Sequence, residues 1–178
     1  MSLKKALSAS ILFVISGFSL STHAASPATA TFQVLMTIQK ACSVTAGASS
    51  NINLGTVDST AVDTTGSNTI SVTCSKATPY FVGLAPSAAN GGTTTGSGAM
   101  STADALPGNT DKVPYQLTST PGPSGTVWGN TATSTTVGNG VAGTGTGTAQ
   151  SLTVYATAPS ANFTPDSYAD TVTVNVNF

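Results

Sequence analysis

The sequence predicts an all-β fold, built as a sandwich or a barrel of short strands. Helix-favouring residues are scarce, because the chain contains no Glu and no Arg, whereas Thr, Val, Ser, Gly and Asn dominate. Short runs of alternating apolar and polar residues recur, separated by clusters of Gly, Pro, Asn and Ser. With 39% hydrophobic residues, the chain has enough apolar side chains to form a packed core.

The first segment is predicted to be a leader that takes no part in the fold. Lys4 and Lys5 precede an apolar run over residues 11–20, and small residues ending at Ala24 follow. This order of charged, apolar and small residues is typical of a secretory signal peptide, so we expect residues 1–24 to be removed. The run is too short for a membrane span. We therefore expect an exported domain of about 150 residues, without a membrane span in the mature chain.

Alternating strands are predicted at both extremes of the mature chain. Residues 28–38 precede the first cysteine and have no obvious partner in their own domain. Their apolar row consists of Ala28, Ala30, Phe32, Val34, Met36 and Ile38, and that of the last strand consists of Val172, Val174, Val176 and Phe178. Period-two alternation places each row on one face of its strand. Such a chain either closes its own sheet or completes the sheet of a neighbour.

Shorter strands are predicted between these two. They cover residues 42–45, 52–54, 69–74, 80–84, 113–117, 126–128 and 152–156. Residues 85–98 and 131–147 are rich in Ala, Gly, Ser, Thr and Asn, so we expect loops there. The Gly-Thr repeat at 143–148 lacks the Gly-Lys-Ser/Thr ending of a phosphate-binding loop, which favours a turn.

Cys42 and Cys74 are the only cysteines. In an exported chain a lone pair most simply forms one disulfide. Closing a loop of about 30 residues would stabilise the fold by roughly 3–4 kcal/mol. The alternatives are two free thiols or a metal-binding pair, but the mature chain has no His to complete a metal site. We therefore expect a disulfide, no metal and no cofactor.

The charged residues exclude several classes of function. Without the leader, three lysines (Lys40, Lys76 and Lys112) stand against six aspartates, a formal net charge of −3. This balance lacks the basic surface expected of a nucleic-acid-binding protein. The mature chain also lacks His and Glu for general acid–base catalysis.

One acidic pair is the best candidate for a catalytic site. Asp166 and Asp170 flank Tyr168, but they lie in a Pro-Asp-Ser-Tyr-Ala-Asp turn before the last strand. That position favours a solvated turn or a cap at the start of a strand, so we expect a non-enzyme with no catalytic residues. Trp128, the only tryptophan, either stacks on a sugar or packs in the core, and a small β domain favours the core.

An ordered set of short phrases resembles the spore coat protein U domain family, which includes the archaic chaperone–usher pilins of the Csu type. The phrases are Ala-Thr-Ala-Thr-Phe-Gln-Val (28–34), Cys-Ser-Val (42–44), Asn-Leu-Gly (53–55), Ile-Ser-Val-Thr-Cys (70–74), Tyr-Gln-Leu (115–117), Val-Trp-Gly-Asn (127–130), Gln-Ser-Leu-Thr-Val-Tyr (150–155) and Ser-Tyr-Ala-Asp-Thr-Val-Thr-Val (167–174). They cover nearly the whole mature chain. Residues 85–111 and 131–147 depart from the family pattern.

The resemblance implies an incomplete immunoglobulin-like sandwich, completed by the N-terminal donor strand of a neighbouring subunit. It divides the chain into a signal peptide (1–24), a donor-strand extension (25–40) and a pilin domain (41–178). The row from Ala28 to Ile38 would be the donor face, and the row from Val172 to Phe178 the acceptor edge, which a periplasmic chaperone covers before assembly.

The function implied is that of a surface pilus subunit. Such a subunit is exported through the periplasm, polymerises with identical or related pilins at an outer-membrane usher, and supports attachment and biofilm formation. The alternatives are a spore or cell coat protein and a surface adhesin module with a binding site in its loops.

Overall fold

The computed structural model describes residues 27–103 and 106–178, and the predicted leader lies outside them. Residues Ile38–Phe178 form one compact unit, and the residues before Ile38 belong to a separate one. In that first unit, residues 27–37 are exposed and have no regular secondary structure.

The described part of this unit is all-β, with nine strands. They are β1 (Cys42–Thr45), β2 (Val62–Cys74), β3 (Pro79–Pro86), β4 (Ser97–Thr102), β5 (Lys112–Thr118), β6 (Val141–Thr144), β7 (Ala149–Ser160), β8 (Tyr168–Ala169) and β9 (Val172–Asn177). Two 3-10 turns cover Ala48–Ser50 and Ala88–Asn90. The predicted all-β class is confirmed.

The strands form two antiparallel sheets. The larger has the order β1-β2-β7-β5-β4-β8, and the smaller has the order β6-β3-β9. Alternation in β2 and β3 explains the packing, because Ile70 and Val72 of one sheet and Val82 and Leu84 of the other are all buried in one core. Two sheets that share one core form a sandwich, as in immunoglobulin-like domains.

The predicted disulfide is present between Cys42 and Cys74. These residues lie opposite each other in the antiparallel pair of β1 and β2. The bridge therefore fastens the four-residue edge strand β1 to the much longer β2.

Trp128 lies in the core, as expected. Its side chain is only 1% exposed, and its Nε1–H donates a hydrogen bond to the carbonyl oxygen of Val82 (2.8 Å). The residue belongs to an irregular segment between β5 and β6, where Val127 forms an isolated bridge with Thr118. Trp128 thereby joins this segment to the smaller sheet.

Two strand predictions and two loop predictions were wrong. Residues 52–54 are not a strand, and residues 126–128 contribute only the isolated bridge. The predicted loops at 85–98 and 131–147 contain the start of β4 and the whole of β6. Both strands form because long, well-patterned neighbours (β5 and β3) supply their hydrogen-bonding partners, although their own composition favours turns.

An open groove beside the C-terminal strand

β9 is an edge strand of the smaller sheet. It pairs with β3 from Phe81↔Asn177 to Pro86↔Val172, and no strand of the described residues pairs with its other edge. That edge presents backbone N–H and C=O groups that lack a β-ladder partner. Every side chain of β9 except Thr173 is nonetheless partly buried. The strand therefore packs against the rest of the sandwich, although only one of its edges has a β-ladder partner.

A groove of about 420 Å³ opens next to this edge. Val172 and Val174 of β9 form one wall, and the segment from Ala46 to Leu54 forms the other. Buried side chains of both sheets form the floor, namely Ile70, Leu84, Leu117, Val154 and Ala156. The groove thus leads from the surface to the hydrophobic core between the two sheets.

The second wall follows β2 without pairing with it as a strand. The Nδ2 of Asn68 donates hydrogen bonds to the carbonyl oxygens of Ser49 (3.0 Å) and Asn51 (2.8 Å). Gly66 permits the close approach, because a Cβ there would lie 2.9 Å from the Cγ2 of Ile52. Ile52 contacts the core but remains partly exposed. This wall therefore lies along β2, and the groove separates it from β9.

A polar cluster limits one end of the groove. The Tyr115 hydroxyl donates a hydrogen bond to Asp170 Oδ2 (2.7 Å), and Asn90 Nδ2 donates to Asp170 Oδ1 (2.8 Å). Burial, together with the neighbouring Asp170, raises the pKa of Tyr115 far above its usual range, so its hydroxyl stays protonated. Sequence reasoning missed Tyr115 because nothing in its strand distinguishes it from a core residue.

The acidic pair considered as a catalytic candidate has structural contacts instead. Asp170 belongs to the polar cluster just described. Asp166 Oδ2 accepts hydrogen bonds from Asn109 Nδ2 (2.9 Å) and from the backbone N–H of Leu106 (3.2 Å), and these donors lower the pKa of Asp166. The two aspartates therefore fasten separate loops to the segment around β8.

The predicted acceptor residues occupy different positions. Val172 and Val174 line the groove, whereas Val176 packs against the core beyond it. Phe178 is 36% exposed, and the Nζ of Lys40 lies 6.0 Å from the centroid of its ring. The groove is thus next to the first half of β9.

The predicted donor residues are almost fully exposed. Phe32, Val34, Met36 and Ile38 are 78–88% exposed, and Leu35, on the opposite face of a strand, is 82% exposed. Because a β-ladder requires a partner, this unpaired segment does not form a regular strand. Its role as a donor strand remains a prediction.

In residues 27–103 and 106–178, no helix has the length and apolar character needed to cross a membrane. The same residues contain no group of three His, Cys, Asp or Glu side chains placed to hold a metal ion.

Comparison with known proteins identifies a matching family model and several solved structures that resemble the chain. The model of the Spore Coat Protein U domain matches residues 28–175. A solved structure that resembles the chain is the CsuC–CsuE chaperone–tip adhesion subunit pre-assembly complex from archaic chaperone–usher Csu pili of Acinetobacter baumannii, with 20% identity and a TM-score of 0.49. The match covers 80% of this chain and 40% of the other. A search of curated proteins finds no significant match.

Proposed function

Because the chain belongs to the Spore Coat Protein U domain family, we propose that it is a structural pilus subunit that polymerises by donor-strand exchange. In this process the segment 28–38 of one subunit fills the groove of the next. The observation that carries the proposal is the groove itself, which joins an unpaired strand edge to the hydrophobic core. A donated strand would satisfy the backbone groups of β9 and bury alternate side chains in the groove.

The exposed apolar row supports this role energetically. Phe32, Val34, Met36 and Ile38 lie largely in solvent. Full burial of such side chains contributes roughly 1.5–3 kcal/mol each, or about 6–12 kcal/mol for the four, as an upper bound. Each added backbone hydrogen bond contributes roughly 0.5–1.5 kcal/mol more. These gains oppose the entropy lost when the segment becomes ordered and when two subunits associate.

The arrangement also favours an open filament. A subunit that donates a strand from its N-terminal segment and accepts one beside β9 uses two different surfaces. Contacts of this heterologous kind form chains when the rotation between subunits does not close a ring. An unfilled groove would expose core residues and an unpaired edge, which is a site for aggregation. A periplasmic chaperone that covers the groove before assembly is therefore part of the proposal.

The remaining parts of the proposal follow from this assembly route. The leader directs the chain to the periplasm, an outer-membrane usher receives the chaperone-bound subunit, and the finished fibre stands on the cell surface. There it supports attachment and biofilm formation. We propose no catalytic activity, and the structural hydrogen bonds of Asp166 and Asp170 support this view.

Two neighbouring substitutions test the assignment of the donor face. Val34→Asp places a charge on the face that enters the apolar groove, whereas Leu35→Asp places the same charge on the opposite face. We expect Val34→Asp to abolish fibres seen by negative-stain electron microscopy while the chaperone-bound subunit is retained. Leu35→Asp should leave fibres largely intact. Normal fibres from Val34→Asp would contradict the proposal.

A further inference from the structure

The strand register divides the compact unit Ile38–Phe178 into two opposite ends. At one end lie the start of β1 at Cys42 opposite Cys74, the start of β3 at Pro79, and the end of β9 opposite Phe81. At the other end lie the start of β2, where Val62 is opposite Ser160, and the start of β9, where Val172 is opposite Pro86. The thirteen residues of β2 separate these ends by about 40 Å.

Two of the three lysines of the mature chain lie at the first end, here called the lysine end. Lys40 precedes Cys42 by two residues, and Lys76 lies in the turn between β2 and β3. Both side chains are exposed.

All five described aspartates lie at the second end, here called the aspartate end. They are Asp58 and Asp63 at the start of β2, Asp111 just before β5, and Asp166 and Asp170 on either side of β8. Lys112 also lies here, and its Nζ donates a hydrogen bond to the carbonyl oxygen of Ala89 (3.0 Å). The described side chains at this end therefore have a formal net charge of −4, and those at the lysine end have a formal net charge of +2.

Within one subunit these opposite charges are too far apart to attract each other. The Debye length at physiological ionic strength is about 8 Å, which is far shorter than the sandwich. Lys40 and Lys76 can thus become close neighbours of the aspartates only if the ends of two different molecules meet.

The proposed function, on which this inference rests, brings the two ends together. If the donated strand is antiparallel to β9, its Ile38 end lies beside Val172 of the acceptor, at the aspartate end. Lys40 follows Ile38 by two residues, or at most about 7 Å of chain. The lysine end of the donor would then face the aspartate end of the acceptor, whereas parallel insertion would bring two lysine ends together.

We propose that the lysine end of each subunit docks on the aspartate end of a second copy, and that this contact directs the polarity of assembly. Complementary charges accelerate encounter and disfavour wrong orientations more than they tighten the final complex. The contact therefore acts before and during strand insertion, and the apolar groove provides the stability of the joint afterwards.

A matched pair of lysine variants tests this contact. Lys76→Asp and Lys112→Asp change the net charge equally, but they act at opposite ends, and neither residue belongs to the donor strand or to the groove lining. Fibre growth of the processed full-length protein is followed by light scattering. At about 0.01 M salt we expect Lys76→Asp to slow growth roughly tenfold, and at about 1 M salt we expect the difference to vanish. Lys112→Asp should not slow growth at either concentration.

A second charge reversal, placed in the same chain as Lys76→Asp, tests whether the growth rate can be restored. Asp58 lies exposed at the aspartate end, and no side-chain hydrogen bond involves it among the described residues. Asp58→Lys alone should slow growth, and combined with Lys76→Asp it should raise the rate above that of Lys76→Asp alone. Equal slowing by Lys76→Asp and Lys112→Asp, or no effect of Lys76→Asp at low salt, would overturn the contact and leave the pilus proposal intact. Absence of fibres from the unchanged protein would overturn both.

Discussion

Removing the Cys42–Cys74 disulfide should remove a large part of the free energy of unfolding of the domain. The two cysteines are 32 residues apart in sequence. The chain-entropy model gives about 3.7 kcal/mol for a loop of this length. Replacing both residues by Ala also removes a sulfur from the buried site of Cys74, which is 1% exposed, and adds about 1 kcal/mol. Small domains are typically stable by only about 5–15 kcal/mol.

The assay is urea unfolding of a self-complemented chain, which lacks residues 25–40 and carries residues 28–39 after Phe178 through a flexible linker. We expect a loss of roughly 4–5 kcal/mol for Cys42→Ala with Cys74→Ala. Reduction of the unchanged cysteines keeps the sulfurs, so we expect only the loop term of roughly 3–4 kcal/mol. The slope of free energy against urea should rise, because the unfolded chain expands. A loss below about 1 kcal/mol in both cases would refute the reasoning.

Two further predictions concern the polar residues around β8 and can be measured by urea unfolding of the same self-complemented chain. Tyr115→Phe should destabilise the fold by roughly 1.5–3 kcal/mol, because the buried hydroxyl donates to Asp170; an unchanged stability would show that this hydrogen bond contributes little. The Asn109 side chain and backbone N–H groups donate hydrogen bonds that lower the pKa of Asp166, and the backbone N–H of Thr164 does the same for Asp111, so both values lie below 3.8. The stabilisation is therefore complete above that pH and is lost as the pH falls through the lowered values. Asp111→Asn with Asp166→Asn should flatten this acid dependence, and an unaltered pH profile would contradict the assignment.

The sequence predicts the elements whose alternation is strong. β1 has the predicted bounds, and β5 extends beyond residues 113–117 by one residue at each end. In β5, Val113, Tyr115 and Leu117 occupy every second position and are all buried, so the pattern itself defines the buried face. The sequence predicts the disulfide and the buried Trp128 for the same kind of reason, since few alternatives exist for a lone cysteine pair or a lone tryptophan in a small β domain.

Other elements depend on partners that local sequence does not reveal. The first half of β2 reads Val-Asp-Thr-Thr-Gly-Ser-Asn and lacks apolar alternation, yet it is a strand because it pairs with β7 along its length. Residues 52–54 alternate well but lie against the open groove, where no β-ladder partner is available among the described residues. The groove could be located only from the three-dimensional order of the strands. Alternation placed Val172 and Val174 on one face of the last strand, and the family resemblance implied that this face is an acceptor edge.

The most direct test of donor-strand completion compares two engineered chains. One lacks residues 25–40, and the other is the self-complemented chain. We expect only the self-complemented chain to be a cooperative monomer in thermal unfolding and size-exclusion chromatography, because residues 28–39 would fill the groove and pair with β9. If the truncated chain is equally stable and monomeric, the sandwich is complete without a donated strand, and the pilus proposal is wrong.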